Sequence, residues 1–149
     1  DFRRALNDCF LLFFTGINRQ AGSVLKEQRN KIKEKMTVLR ELKDMAYQAK
    51  QELENGNSDS FGALLHHSWQ SKKRMAGQIS NGRIDDIYDA ARRAGARGGK
   101  ITGAGGGGFL LLYAPYEKHG DVREAMAGLQ ELPFQLEKDG SKVIFNYRR

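Results

Sequence analysis

The chain has 149 residues, 40% of them apolar, and a single cysteine, which is the size of one ordinary domain with material for a core. Twenty-five Lys and Arg against eighteen Asp and Glu leave a net charge of +7, a balance that favours anionic partners: nucleic acid, acidic lipid or phosphorylated small molecules. No apolar run reaches the roughly 18 residues of a membrane-spanning helix, no charged segment leading into an apolar one marks a secretory signal, and one cysteine makes no internal disulfide. A reducing cytoplasm is therefore the expected compartment.

The chain opens on Asp1 rather than Met and runs abruptly into an apolar stretch, which points to a piece of a longer or processed polypeptide. Residues 8–15 are short, apolar and aromatic, and Gly16 stops them; they predict a buried strand with Cys9 as a buried structural thiol. A long helix is predicted over 23–54. Leu25, Ile32, Met36, Leu39, Leu42, Ala46, Ala49 and Leu53 recur at spacings of three, four or seven, which keeps them on one stripe. The mixed charges of residues 26–50 form its solvated face, and Asn55-Gly56-Asn57 ends it.

Ser58 or Asp59 caps a second predicted helix, with Phe61, Leu64, Leu65, Trp69, Met75 and Ile79 on its apolar side. Ser80-Asn81-Gly82 breaks the chain. A third helix follows with Ile84, Ile87, Tyr88, Ala91 and Ala94 on one face, acids Asp85 and Asp86 in its first turn, and Gly95 as its stop. Residues 96–101 predict a strand, 102–108 a loop, and 109–114 a strand that Pro115 ends. A fourth helix is predicted over 117–131. A hairpin closes the chain: 134–137, a turn at Lys138-Asp139-Gly140, then 142–147.

Without the additional helices this order is β-α-β-β-α-β. The expected fold is α+β: one domain over residues 1–149 with a ferredoxin-like split β-α-β antiparallel sheet, elaborated with extra helices.

The chemistry is concentrated in residues 98–108, which hold seven of the seventeen glycines. Glycine costs about 0.5–1 kcal/mol relative to alanine in regular structure, so the cluster needs a reason. A flexible linker does not fit, because the segment joins neighbouring strands and lacks serine. Two readings remain. One is a tight hairpin with close backbone packing. The other is a bed of free backbone N–H groups that an anionic oxygen approaches closely. Gly103-x-Gly105-x-x-Gly108 matches the dinucleotide fingerprint in letters only, since a strand follows it where that motif requires a helix. A Walker A loop fails because Ala94 stands at its first glycine and Ile101 at its magnesium-binding Ser or Thr. No HRD or DFG motif accompanies the loop, so it is not a protein-kinase lid.

Lys100-Ile101-Thr102-Gly103-Ala104-Gly105-Gly106-Gly107-Gly108 resembles, almost letter for letter, the third conserved motif of the GHMP (galactokinase, homoserine kinase, mevalonate kinase, phosphomevalonate kinase) superfamily. Thr15-Gly16-Ile17-Asn18-Arg19, Trp69 with Lys72 and Lys73, Ile79-Ser80-Asn81-Gly82-Arg83-Ile84-Asp85 and Gly95-Ala96-Arg97-Gly98-Gly99-Lys100 resemble segments of its bacterial heptose-phosphate kinases. The resemblance implies the C-terminal domain of an ATP-dependent sugar kinase. In the heptose branch the acceptor is the anomeric hydroxyl of D-glycero-D-manno-heptose 7-phosphate, and the complete enzyme uses ATP and Mg2+. It further implies that Thr102, Gly103, Ala104, Gly105, Gly106 and Gly107 bind ATP phosphates and that Arg19, Trp69, Lys72, Ser80 and Asn81 bind the sugar phosphate. A complete member carries an N-terminal domain with a Pro-x-x-x-Gly-Leu-Gly-Ser-Ser loop, the acidic catalytic residue and most adenine contacts. None of these stands in this sequence. The chain alone is therefore expected to be inactive, with the N-terminal domain as its partner and with no catalytic residue or metal ligand of its own.

Plainer readings stand beside these. Trp69 is a core anchor or a wall of the sugar site. Lys72, Lys73 and Arg19 bind a phosphate or line a solvated surface. Ser80-Asn81 caps a helix, binds sugar hydroxyls, or both. His66, His67 and His119 lack the spacing of a zinc site and read as structural or surface residues. The competing function is a non-catalytic ferredoxin-like module binding a phosphorylated ligand or RNA. An RNA-binding sheet needs exposed aromatics in a basic-aromatic pattern; residues 109–113 are continuously apolar, so neither nucleic acid nor membrane is an expected partner.

Overall fold

The described residues form four short strands and six α-helices, four of the helices lying between the first strand and the second. In order they are α1 (Phe2–Asn7), β1 (Phe10–Phe14), α2 (Ala21–Asn30), α3 (Met36–Glu54), α4 (Ser58–Lys73), α5 (Gly82–Arg93), β2 (Gly98–Ile101), β3 (Phe109–Tyr113), a 3-10 turn (Tyr116–Lys118), α6 (His119–Ala125) and β4 (Gln130–Glu131). This computed structural model describes every residue except Asp1, Arg19, Gln20, Lys138, Ser141 and 146–149.

The strands form one antiparallel sheet in the order β2-β3-β1-β4, the strand order of the expected split β-α-β fold. Side chains alternate across it. Leu11 and Phe13 of β1 are buried, while Phe10, Leu12 and Phe14 are only half-buried. Leu11 pairs with Leu112 and Phe13 with Leu110, and Ile101 of β2 pairs with Leu110 from the other side. These five join Ile84, Tyr88 and Ala91 of α5 and Val122 and Met126 in one apolar core.

At β2 the chain comes unusually close to α4. A Cβ on Gly98 would lie 2.1 Å from the carbonyl oxygen of Gly62 and 2.8 Å from the backbone N of His66. Two glycines thus let strand and helix backbones touch, and they seat the start of the strand that leads into the glycine loop.

Several expected boundaries move. The helix expected over 23–54 is two helices, with turns across 31–35. There the amides of Lys31, Ile32 and Lys35 reach carbonyls three residues back, those of Gln28, Arg29 and Ile32, the tightened bonding of a helix end. The two halves serve different partners. Glu27 of α2 accepts the N–H groups of Gly77 and Gln78 at 3.1 and 3.3 Å, whereas α3 packs along α4. Leu25, Ile32 and Met36 of the predicted stripe are consequently exposed. The second predicted helix stops at Lys73, and Met75, Ala76 and Ile79 enter the core from an irregular segment. The last predicted helix ends at Ala125, and Gly128 turns the chain with φ +98°.

The closing hairpin is absent among the described residues: 134–137 and 142–145 form no strand, and the last part of the hairpin, 146–147, lies outside them. The fourth strand is instead Gln130–Glu131 against Phe14 and Phe13. Leu132 N–H continues this pairing to the Leu12 carbonyl at 2.8 Å. Pro133, which has no N–H, ends it. Cys9 is half-buried rather than buried, and its thiol donates to the Ala5 carbonyl at 3.2 Å.

Candidate anion-binding site at the glycine loop

The loop between β2 and β3 is fastened at several points. At its foot the N–H of Thr102 donates to the Phe109 carbonyl at 2.9 Å, and the Thr102 hydroxyl reaches the same oxygen at 3.3 Å. Gly108 is held from both sides. Its N–H donates to Ile17 at 2.8 Å, and its carbonyl accepts the Thr15 N–H at 2.9 Å and the buried Thr15 hydroxyl at 2.8 Å. Gly106 donates to the Ile79 carbonyl at 2.7 Å. That carbonyl is free to accept because α4 has already ended.

The close-packing reading of the glycines holds at two positions of the loop. A Cβ on Gly107 would stand 2.4 Å from the Ile17 carbonyl oxygen, and one on Gly105 2.8 Å from that of Ile79. These are close backbone approaches. Gly103, by contrast, has open space around it but a φ of +71°, a conformation that side chains disfavour. The N–H groups of Gly103, Ala104, Gly105 and Gly107 bond to no acceptor among the described residues. Gly103 is exposed, Ala104 and Gly105 are half-buried and Gly107 is buried, and buried backbone donors are rarely left in that state.

Lys72 of α4 reaches the loop. Its ammonium donates to the Gly103 carbonyl at 2.5 Å. Burial, helped by the neighbouring charge of Lys100, pushes its pKa down to about 8. A lysine that is partly desolvated beside a second cation gains from an anion placed between them. On the other side Gln28 of α2 donates from Nε2 to the Ala104 carbonyl at 3.3 Å.

The other predicted site residues fall as follows. Asn81 is the N-cap of α5, its Oδ1 accepting the Ile84 N–H at 3.0 Å. The Ser80 hydroxyl donates to Asp85 at 2.9 Å, and Lys73 pairs with the same carboxylate oxygen at 3.0 Å. Ser80 and Asn81 thus follow directly on Ile79, the loop's anchor, and their side chains bond the start of α5. Trp69 lies in the core, 1% exposed, so this arrangement offers none of its face to a ligand. Its Nε1 has no hydrogen-bond partner among the described residues. Arg19 lies outside the described residues. Two histidines pack internally: His66 stacks on Tyr88 and bonds its hydroxyl at 2.7 Å, burial lowers the His66 pKa, and buried His119 bonds the Ala114 carbonyl at 3.1 Å; His67 is exposed.

Gln28 and the carbonyls of Ile17 and Ile79 are the parts that sequence reasoning missed. Gln28 carries no local signal, because it is one polar residue among many on a mixed helix, 76 positions from its partner.

The elements define an α+β domain whose split β-α-β sheet carries a clamped glycine hairpin with a lysine at its side. Residues 49–132 match the family model described as GHMP kinases C terminal, and the chain belongs to that family. It is 29% identical over 89% of its length to the D-glycero-alpha-D-manno-heptose 7-phosphate kinase of Campylobacter jejuni, spanning 40% of that protein. Over 44% of its length it is 40% identical to the mevalonate kinase of Thermococcus gammatolerans, spanning 20% of that protein. Among solved structures, a mevalonate kinase superposes with a TM-score of 0.70 at 25% identity, over 88% of this chain and 41% of the other. The chain thus spans well under half the length of each. No helix among the described residues is long and apolar enough to cross a membrane.

Proposed function

We propose that this chain is the C-terminal domain of an ATP-dependent sugar kinase and that its glycine loop stabilises the transferring phosphoryl group. The observation that carries the reading is the row of N–H groups at Gly103, Ala104, Gly105 and Gly107 that bond to no acceptor among the described residues, in a loop that Lys72 reaches. In phosphoryl transfer the acceptor oxygen bonds to the γ-phosphorus while the bond from that phosphorus to the ADP oxygen breaks. Catalysis is mostly positioning and neutralisation of spread negative charge. Fixed N–H donors suit that task because they need no reorganisation as the charge moves.

Thr102 closes the foot of the loop, and Gly106 and Gly108 anchor it. The hydroxyl proton and the adenine are handled by an N-terminal domain in this reading. The described residues contain no cluster of three or more His, Cys, Asp or Glu fit for a metal. In this reading magnesium arrives on the nucleotide phosphates.

A sugar phosphate is favoured over mevalonate as acceptor because similarity to the Campylobacter heptose kinase runs over 89% of the chain, against 44% for the Thermococcus mevalonate kinase. The proposed acceptor is the anomeric hydroxyl of D-glycero-D-manno-heptose 7-phosphate, with Arg19 assigned to its phosphate and Ser80 and Asn81 to its hydroxyls. The test is ADP release by the intact polypeptide that carries this sequence, offered the heptose phosphate, unphosphorylated sugars and mevalonate. Turnover with the heptose phosphate, and none from the 149-residue chain alone, is expected. Turnover of mevalonate only, or of no acceptor, overturns the reading.

A further inference from the structure

Two side-chain donors from different helices each hold one carbonyl of the glycine loop. Lys72 of α4 takes Gly103 at 2.5 Å and Gln28 of α2 takes Ala104 at 3.3 Å. We propose that Gln28 and Lys72 are positioning residues that set two consecutive peptide planes, so that the N–H groups of Ala104 and Gly105 stand ready for one anionic ligand. The inference rests on the phosphate-binding reading above and assigns the parts that make the loop competent for it.

The argument is geometric. The described residues contain no cis peptide, and in a trans peptide the C=O and N–H point to opposite sides of the unit. The Gly103 carbonyl shares its plane with the Ala104 N–H. Drawing that oxygen toward Lys72 turns the Ala104 donor away from α4. The Ala104 carbonyl likewise shares its plane with the Gly105 N–H, so Gln28 turns the Gly105 donor away from α2. The next donor, Gly106, is already taken by Ile79, which separates this pair from Gly107. Glycine at 103 and 105, with φ of +71° and +101°, leaves these planes free to rotate. The clamps supply the order that the glycines do not.

Gln28 is itself held. Its neighbour Glu27 bonds Gly77, Gln78 and Lys31. The bond from Lys31, followed by that from the Gly77 N–H, keeps the Glu27 carboxyl below its ordinary range. Glu27 therefore fixes the register of α2 against the segment that also carries Ile79.

The test is a titration of the 15N-labelled chain with tripolyphosphate, following the amide signals of residues 103–107, in the parent, Gln28→Met, Lys72→Met and Lys72→Arg proteins, with a melting curve for each. In the parent the Ala104 and Gly105 signals are expected to move most. Gln28→Met keeps length and net charge and is expected to weaken binding about fivefold, one hydrogen bond's net worth, and to shrink both shifts at an unchanged melting temperature. Lys72→Arg, which can still reach the Gly103 carbonyl, is expected to restore the Ala104 shift that Lys72→Met loses. Parent affinity and parent shifts in Gln28→Met and Lys72→Met overturn the clamp while leaving the loop reading intact. No response at residues 103–107 in the parent overturns the loop reading and the clamp with it.

Discussion

The carbonyl of Ile17 and the backbone of Gly107 approach so closely that a Cβ on Gly107 would lie 2.4 Å from the oxygen. The same oxygen accepts the Gly108 N–H at 2.8 Å. The segment after β1 and the end of the glycine loop are therefore zipped backbone to backbone, with no side chain between them. Gly107→Ala is expected to force that contact apart and cost about 1–3 kcal/mol. Urea unfolding measures it. Gly103→Ala, which meets nothing within 4 Å but carries φ +71°, is expected to cost only about 1 kcal/mol. Equal losses at the two positions contradict the close-approach account.

Gly98→Ala is expected to be more damaging than either. Its Cβ would meet backbone atoms of α4 at 2.1 and 2.8 Å, and backbone yields less readily than a side chain. A loss at the upper end of overpacking costs, about 3 kcal/mol or more, is expected. A variant with parental stability shows that α4 does not seat on β2 in this way.

Lys72 gives the site a pH signature. Its folded-state pKa, pushed down to about 8 by burial and then by Lys100, lies below its ordinary value of 10.5. Between those values the unfolded chain binds more protons than the folded one, so the Lys72 contribution to stability rises as pH rises through that window. Anion binding runs the other way: the cation is lost above about pH 8, and tripolyphosphate affinity is expected to fall there. Lys72→Met is expected to flatten both dependences. Stability and affinity measured across pH 7–10 in parent and variant check the sign of each.

Asn81 separates capping from sugar binding. Asn81→Ala removes the acceptor of the Ile84 N–H and is expected to cost about 1 kcal/mol of stability. If capping is its whole role, KM for the sugar phosphate in the intact kinase, per folded molecule, stays at the parent value. A raised KM with full folding adds a sugar contact to the cap.

The strands at 10–14 and 109–113, the third helix and the glycine loop were legible because their signals are local. Apolar runs of strand length, a 3.6-residue stripe with Asn81 ahead of it, and seven glycines in eleven positions each carry their meaning within one segment. The α+β class followed from the order of those segments. Partners distant in sequence decided the rest. The long predicted helix divides at 31–35 because Glu27 is drawn to Gly77 while α3 lies along α4. β4 forms at Gln130–Glu131 because those residues meet Phe13 and Phe14, and Pro133 then withholds an N–H. Within the loop, glycine content announced close approach and free donors together. Which glycine does which was settled by the carbonyls of Ile17 and Ile79 and by the donors of Gln28 and Lys72, all brought there by packing. Hydrogen bonds between groups 76 residues apart leave no trace in local pattern, so this chain's sequence determined what the loop is made of, and its tertiary structure determined where each donor points.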